Sequence, residues 1–143
     1  MGTRREGREL ALQALYQLDM AGEDDGQDGL GSFWSHFDRP GEVRDFAREL
    51  VAGVRERRLA IDALIENAAE HWRLSRLSKV DLNLLRLATF ELMDRAEIPA
   101  SVTLNEAVEI ARRFGTDESA AFVNGVLDAI ARKLDVVGVS SRE

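Results

Sequence analysis

Three arginines near the amino terminus, Arg4, Arg5 and Arg8, have the residue type and spacing best suited to binding a ligand. At about 100° per residue they fall together on one flank of a helix, in line with Leu12 and Tyr16, while Glu6 and Glu9 point elsewhere. Cations in a first helical turn oppose the helix macrodipole, at a cost of roughly a few tenths of a kcal/mol each, so local stability does not favour three of them there. One reading is an edge that contacts phosphates, with Tyr16 available to stack on a base; the other is ordinary solvated surface.

Covalent chemistry finds less support. His36 lies in an acidic stretch and His71 beside Trp72, each too isolated to suggest a metal or acid/base site, and each reads as a surface or structural histidine. The many carboxylates sit at solvated helical positions and offer no defined pair. There is no Gly-rich phosphate loop and no nucleophile elbow. With 0 Cys, disulfides, thiolate metal sites and thiol nucleophiles are excluded. The chain reads as a binding protein and not an enzyme, with no cofactor and no metal expected.

At 143 residues and 45% hydrophobic composition, the chain is long and apolar enough for one domain, or for two small bundles sharing an interface. No apolar run approaches the roughly 18 to 20 residues of a membrane span, and the amino terminus lacks a signal-peptide apolar region. A cytoplasmic protein that does not enter a membrane is the expectation. The net charge of -7 looks wrong for a nucleic-acid binder, but it is unevenly spread. Residues 21 to 42 hold six acids (Glu23, Asp24, Asp25, Asp28, Asp38 and Glu42) against the single Arg39, leaving the remainder near balance, so local patches matter more than the total.

Every clear periodicity is helical, which predicts an all-α fold. Thr3 and Glu6 have the spacing of a capping box, starting a helix near Arg4 that buries Leu10, Ala11, Ala14, Leu15 and Leu18 and ends before Gly22. Residues 22 to 41 read as an acidic loop, interrupted by Phe33, Trp34 and Phe37 as a short helical turn lidding the core. From Val43 to Trp72 the apolar steps suggest one long helix, bent near Gly53, whose Arg55, Arg57 and Arg58 read as a solvated face. A basic connector, Arg73 to Lys79, leads to a helix capped by Ser78 that runs to Arg95, and Pro99 forbids its simple continuation.

Two further helices close the chain. Leu104, Ala107, Val108, Ala111 and Phe114 stripe the first, and Phe122, Val123, Val126, Leu127 and Ile130 stripe the second. Between them Gly115 is expected to take a left-handed turn, and Thr116 or Asp117 to cap the last helix. Gly125, which costs about 1 kcal/mol against Ala inside a helix, predicts a close approach of another backbone.

Taken together, Arg8-Glu-Leu-Ala-Leu-Gln-Ala-Leu-Tyr16, Leu77-Ser-Lys-Val-Asp-Leu-Asn-Leu-Leu-Arg-Leu-Ala88, Asn105-Glu-Ala-Val-Glu-Ile-Ala-Arg-Arg-Phe-Gly115 and Phe122-Val-Asn-Gly-Val-Leu-Asp128 resemble the NusB family of bacterial transcription antitermination factors. The match is in order and covers nearly the whole chain apart from the acidic loop. The resemblance implies a single all-α NusB-like domain of two roughly perpendicular three-helix bundles, an amino-terminal one over residues 1–78 and a carboxy-terminal one over 79–143. It further implies binding to the boxA element of nascent RNA together with NusE, the small-subunit ribosomal protein. The assembly would include NusA, NusG and RNA polymerase and would suppress termination, notably during ribosomal RNA synthesis.

Carried over by position, the family's arginine-rich motif falls on Arg4, Arg5 and Arg8, interrupted here by Glu6 and Gly7. Three phosphate contacts imply a salt slope of only about -2 on single-stranded RNA, so a partner protein is expected to share the binding. Tyr16, Arg113 and Phe122 are the candidates for widening the RNA surface, with Phe122 equally suited to the core, and the Asp117–Glu118 corner is the candidate contact for the protein partner. Two alternatives remain: a homodimer with the arginine edge occluded, or a helical RNA-binding module like that preceding the catalytic domain of some ribosomal RNA cytosine methyltransferases. Against the second, a chain ending at Glu143 is expected to leave no room for a cofactor-binding domain.

Overall fold

The computed structural model describes residues 2–21, 33–34, 41–70, 73–95 and 97–134. The histidines, Phe37, Trp72 and most of the acidic loop lie outside the described residues. Among the described residues six long helices follow one another: α1 (Gly2–Ala21), α2 (Gly41–Glu56), α3 (Arg58–Ala68), α4 (Lys79–Asp94), α5 (Ala100–Phe114) and α6 (Ser119–Leu134). A 3-10 turn, Leu74–Arg76, precedes α4. Among the described residues all regular structure is helical, as the periodicity predicts.

Helix α4 is the axis of the molecule. It packs against α1, α2 and α3 on the amino-terminal side and against α5 and α6 on the other, and every residue from Leu82 to Leu92 is buried. A helix covered on all sides needs apolar residues around its whole circumference, which Leu82, Leu84, Leu85, Leu87, Phe90 and Leu92 supply. The Ser78 hydroxyl accepts from the Asp81 N–H at 3.0 Å, the expected cap. One apolar core runs from Leu10 in α1 to Ala131 in α6 and crosses the 78/79 boundary without a break. Phe33 is buried in it, with Trp34 edge-to-face at 5.1 Å and Arg48 over the Trp34 ring.

Several expectations need correction. The predicted long helix is two helices, broken at Arg57, whose φ of -106° and ψ of 19° leave the α-helical region. Both halves cover α4, and α3 also packs against α6, so the chain has to change direction between them. Arg57 is held at the break by Asp94 at the far end of α4, at 2.6 and 2.8 Å. Gly53 is no bend: it lets the Phe90 ring lie where a side chain would stand. Helix α1 begins at Gly2, two residues before the expected start near Arg4.

At the α5–α6 corner Gly115 is extended, with φ -101° and ψ -162°, and not left-handed. A side chain there would instead collide with Ser119 and with the Ala111 carbonyl. Neither Thr116 nor Asp117 plays the expected cap; the buried Ser119 hydroxyl accepts from the Thr116 N–H at 2.9 Å and closes the corner from the helix side. Gly125 is exposed, and a methyl group there would meet nothing within 4 Å, so it marks no close approach. Phe114, expected in the core stripe, is 37% exposed.

Candidate nucleic-acid interface

Helix α1 runs antiparallel to α4, because Arg8 reaches Glu91 near the carboxy-terminal end of α4 while Asp19 accepts from Asn83 near its start at 2.8 Å. That geometry brings the arginine end of α1 to the link between α4 and α5. The three arginines then meet three different surroundings. Arg4 is exposed, with its guanidinium 4.8 Å from the centre of the Phe46 ring of α2. Arg5 donates from Nε and Nη2 to the two carboxylate oxygens of Glu106 on α5. Arg8 is only 4% exposed; its Nε and Nη2 donate to Glu91 at 2.9 and 2.8 Å.

The expected edge of three solvated guanidinium groups is therefore corrected. Arg8 points inward, because the carboxylate of Glu91, buried inside α4, needs a cation beside it. Gly7 next to it leaves space for the Phe46 ring, which packs under both Arg4 and Arg8. Arg5 and Glu106 shift each other's protonation equilibria. Their hydrogen bond holds the Glu106 carboxyl below the ordinary carboxylate range, against the opposing effect of burial, and raises the Arg5 guanidinium.

Between the start of α1 and the α4–α5 link lies an open cleft of about 640 Å³. Arg4, Arg5, Arg8, Glu97 and Glu106 line it, together with the apolar Ile98, Pro99 and Val102. Arg113, near the other end of α5, donates to Glu9 of α1 at 3.2 Å and lies over the Phe114 ring at 5.3 Å. Tyr16, 41% exposed, sits two turns beyond Glu9 on the same face of α1. Arg5, Glu9 and Tyr16 therefore share one face of α1, which corrects the expectation that Glu9 points away from that edge, and Arg113 leans onto it.

Phe122 belongs elsewhere. It is half-buried against the core and lines a smaller pocket of about 170 Å³ with Arg76, Ser78 and Glu118 at the start of α4. The cationic cleft lies past the other end of that 16-residue helix, roughly 24 Å away. Asp117 and Glu118 are exposed, and Glu118 shares the pocket with Phe122.

Sequence reasoning missed Glu91, Glu106, Glu9 and Phe46. Glu91 carried a signal: a lone acid between Phe90 and Leu92, in a helix apolar on every side, demands a cation. Glu106 carried none, because its partner lies 101 residues away. Among the described residues no group of three or more His, Cys, Asp and Glu could hold a metal ion, and no helix is long and apolar enough to cross a membrane. The cleft sets three arginines against two carboxylates, Glu97 and Glu106, beside the apolar Ile98, Pro99 and Val102, and this cationic excess suits the binding of a polyanion with flat rings.

Comparison with known proteins agrees. The chain is 51% identical over 139 residues to the transcription antitermination protein NusB of Myxococcus xanthus, covering 94% of this chain and 99% of that one. Its fold matches NusB of T. maritima with a TM-score of 0.82 at 41% identity, covering 91% of each chain. It also matches, with a TM-score of 0.76 at 26% identity over 93% of this chain and 98% of that one, a chain from a solved assembly of the antitermination factors NusB and NusE with double-stranded RNA. Residues 5–132 fit the sequence model of the NusB family, and the chain belongs to that family of transcription antitermination proteins, whose work is RNA binding and not catalysis.

Proposed function

We propose that this chain binds the boxA element of nascent RNA jointly with NusE, and that the pair joins NusA, NusG and RNA polymerase in a complex that suppresses termination during ribosomal RNA synthesis. The observation that carries this reading is the cleft at the start of α1, where Arg4 and Arg5 share the lining with the apolar Ile98, Pro99 and Val102. Phosphates lie against Arg4 and Arg5, and bases lie on those apolar side chains and on Tyr16. Arg113 extends the cationic surface, while Arg8 anchors α1 from inside. Phe122 is reached only by RNA that continues along the molecule, and with Asp117 and Glu118 it forms the corner offered to the protein partner. The solved NusB–NusE–RNA assembly supports the choice of partner class.

The test is boxA and scrambled RNA binding by Arg4→Ala/Arg5→Ala, with and without NusE. Arg8 is left intact because its loss exposes the fold and not the site. The expected outcome is weaker boxA binding and a salt slope shallower by up to about 1.4, the share of two full phosphate contacts on a single strand. Unchanged affinity in both settings removes this edge from the function.

A second reading, self-association that covers the same face, is favoured by Tyr16 and Met20, exposed one turn apart on α1 at 41% and 61%. Sedimentation during boxA titration separates the two. RNA that dissolves a dimer supports occlusion, and RNA bound to an intact dimer rejects it.

A further inference from the structure

We infer that Glu106 is a built-in competitor for RNA phosphate at Arg5, so that RNA binding at this edge proceeds by exchange of a carboxylate for a phosphate. The inference rests on the proposed RNA-binding reading and adds a regulating residue to it. Three features of the geometry support it.

The first is the mode of pairing. Glu106 engages Arg5 through both Nε and Nη2, the same planar fork with which arginine grips a phosphate. Both ligands cannot use that fork at once. The second is depth. The Arg5 side chain is 41% exposed and Glu106 22%, so the pair lies at the surface, where an incoming strand can reach it.

The third is what Glu106 does once released. Its Oε1 already lies 3.8 Å from Nη1 of the buried Arg8, which keeps its own pair with Glu91 throughout. A carboxylate that lets go of Arg5 is therefore not stranded without a cation, and the exchange is far less costly than breaking a buried pair. Like any carboxylate, Glu106 is ionised, and thus competitive, at neutral pH, and the hydrogen bond from Arg5 lowers its protonation equilibrium further.

The consequence is selectivity. A strand that offers only phosphates must displace Glu106 for little net electrostatic gain. One that also stacks bases on Pro99 and Val102 adds contacts that Glu106 does not oppose. Glu106 thus suppresses loose polyanion binding more than boxA binding.

The experiment is fluorescence anisotropy with labelled boxA RNA and with a scrambled RNA of equal length, across a salt series, with NusE present. The proteins are wild type, Glu106→Gln, Arg5→Ala, Arg5→Ala/Glu106→Gln, and Glu109→Gln as a control for loss of one negative charge. Glu109 is exposed on the same helix, pairs with Arg112, and acts on Arg5 only through space.

Glu106→Gln is expected to bind scrambled RNA about two- to fivefold more tightly, the range set by a partly exposed ion pair, and to gain less on boxA. Its salt slope should steepen by up to about 0.7. Glu109→Gln should gain less, and the double variant should gain nothing over Arg5→Ala. If Glu106→Gln gains no more than Glu109→Gln while Arg5→Ala still weakens binding, the competitor role is rejected and the RNA edge stands. A gain that survives in the Arg5→Ala background also rejects it. If Arg5→Ala leaves binding unchanged as well, the underlying RNA reading fails with it. Unfolding curves of each variant confirm that differences in binding are not losses of fold.

Discussion

Two arginine–glutamate pairs lie one turn apart on α1, alike in residue type and in fork-to-carboxylate geometry, and they differ chiefly in depth. In the Arg8–Glu91 pair the side chains are 5% and 1% exposed; in the Arg5–Glu106 pair they are 41% and 22% exposed. The buried pair cannot be opened without leaving a charge in the core, so it is structural. The shallow pair can be opened by water, salt or a competing anion, so it is free to take part in binding. Residue type and helical phase, which group Arg4, Arg5 and Arg8 together, say nothing of this. Depth is set by what α4 and α5 place opposite.

The widest separation between the two pairs should appear on truncation. Arg8→Ala is expected to destabilise the fold by about 3–5 kcal/mol, because Glu91 is left buried without its cation. Urea unfolding measures it. Replacing both partners, as Arg8→Met/Glu91→Leu, should recover most of that loss, since neither residue then carries a charge to be compensated. If Arg8→Ala unfolds no more readily than Arg5→Ala, the contrast drawn from burial is wrong.

An intermediate case sharpens the rule. Arg86 of α4 is as buried as Arg8, with its side chain 6% exposed, but its acids are shallower: Asp62 of α3 at 20% and Asp19 of α1 at 15%. Truncation to Arg86→Met leaves carboxylates that can turn toward water. The expected loss is about 2 kcal/mol, between the buried and the exposed limits. A loss as large as that of Arg8→Ala would show that the depth of the cation alone decides.

The same distinction marks how far the sequence can be read. Helix positions and most of the core followed from apolar spacing, because Leu10, Leu50, Leu84, Leu127 and their neighbours report only their own burial. The break at Arg57 did not, since the apolar steps on either side keep a helical phase and the turn is imposed by α4 and α6. Glycines misled for the same reason. Gly53 and Gly125 look equivalent in a helix, yet one faces the Phe90 ring and the other open solvent. Gly125→Ala is accordingly expected to raise stability by about 0.4–1 kcal/mol in thermal or urea unfolding. At the site, the arginines were legible and their partners were not, because Arg5–Glu106 and Arg8–Glu91 join residues 101 and 83 positions apart.

The smallest effect is the stability contribution of the shallow pair itself. Arg5→Ala should cost at most about 1 kcal/mol, since solvent screens a pair this exposed, and less at high salt. Its pH dependence has a definite sign. The Glu106 carboxyl is held below its ordinary range in the folded chain by the hydrogen bond from Arg5, so the pair's contribution is present above the carboxyl's ordinary titration and is lost as pH falls through the lowered folded value. The unfolding free energies of wild type and Arg5→Ala should therefore differ near neutrality and converge in acid. The two proteins are compared at each pH, so the acid response of every other carboxylate largely cancels. Convergence on raising the pH would mean that a cation, and not Glu106, governs the pair, and the carboxylate could not then act as the exchangeable partner of Arg5.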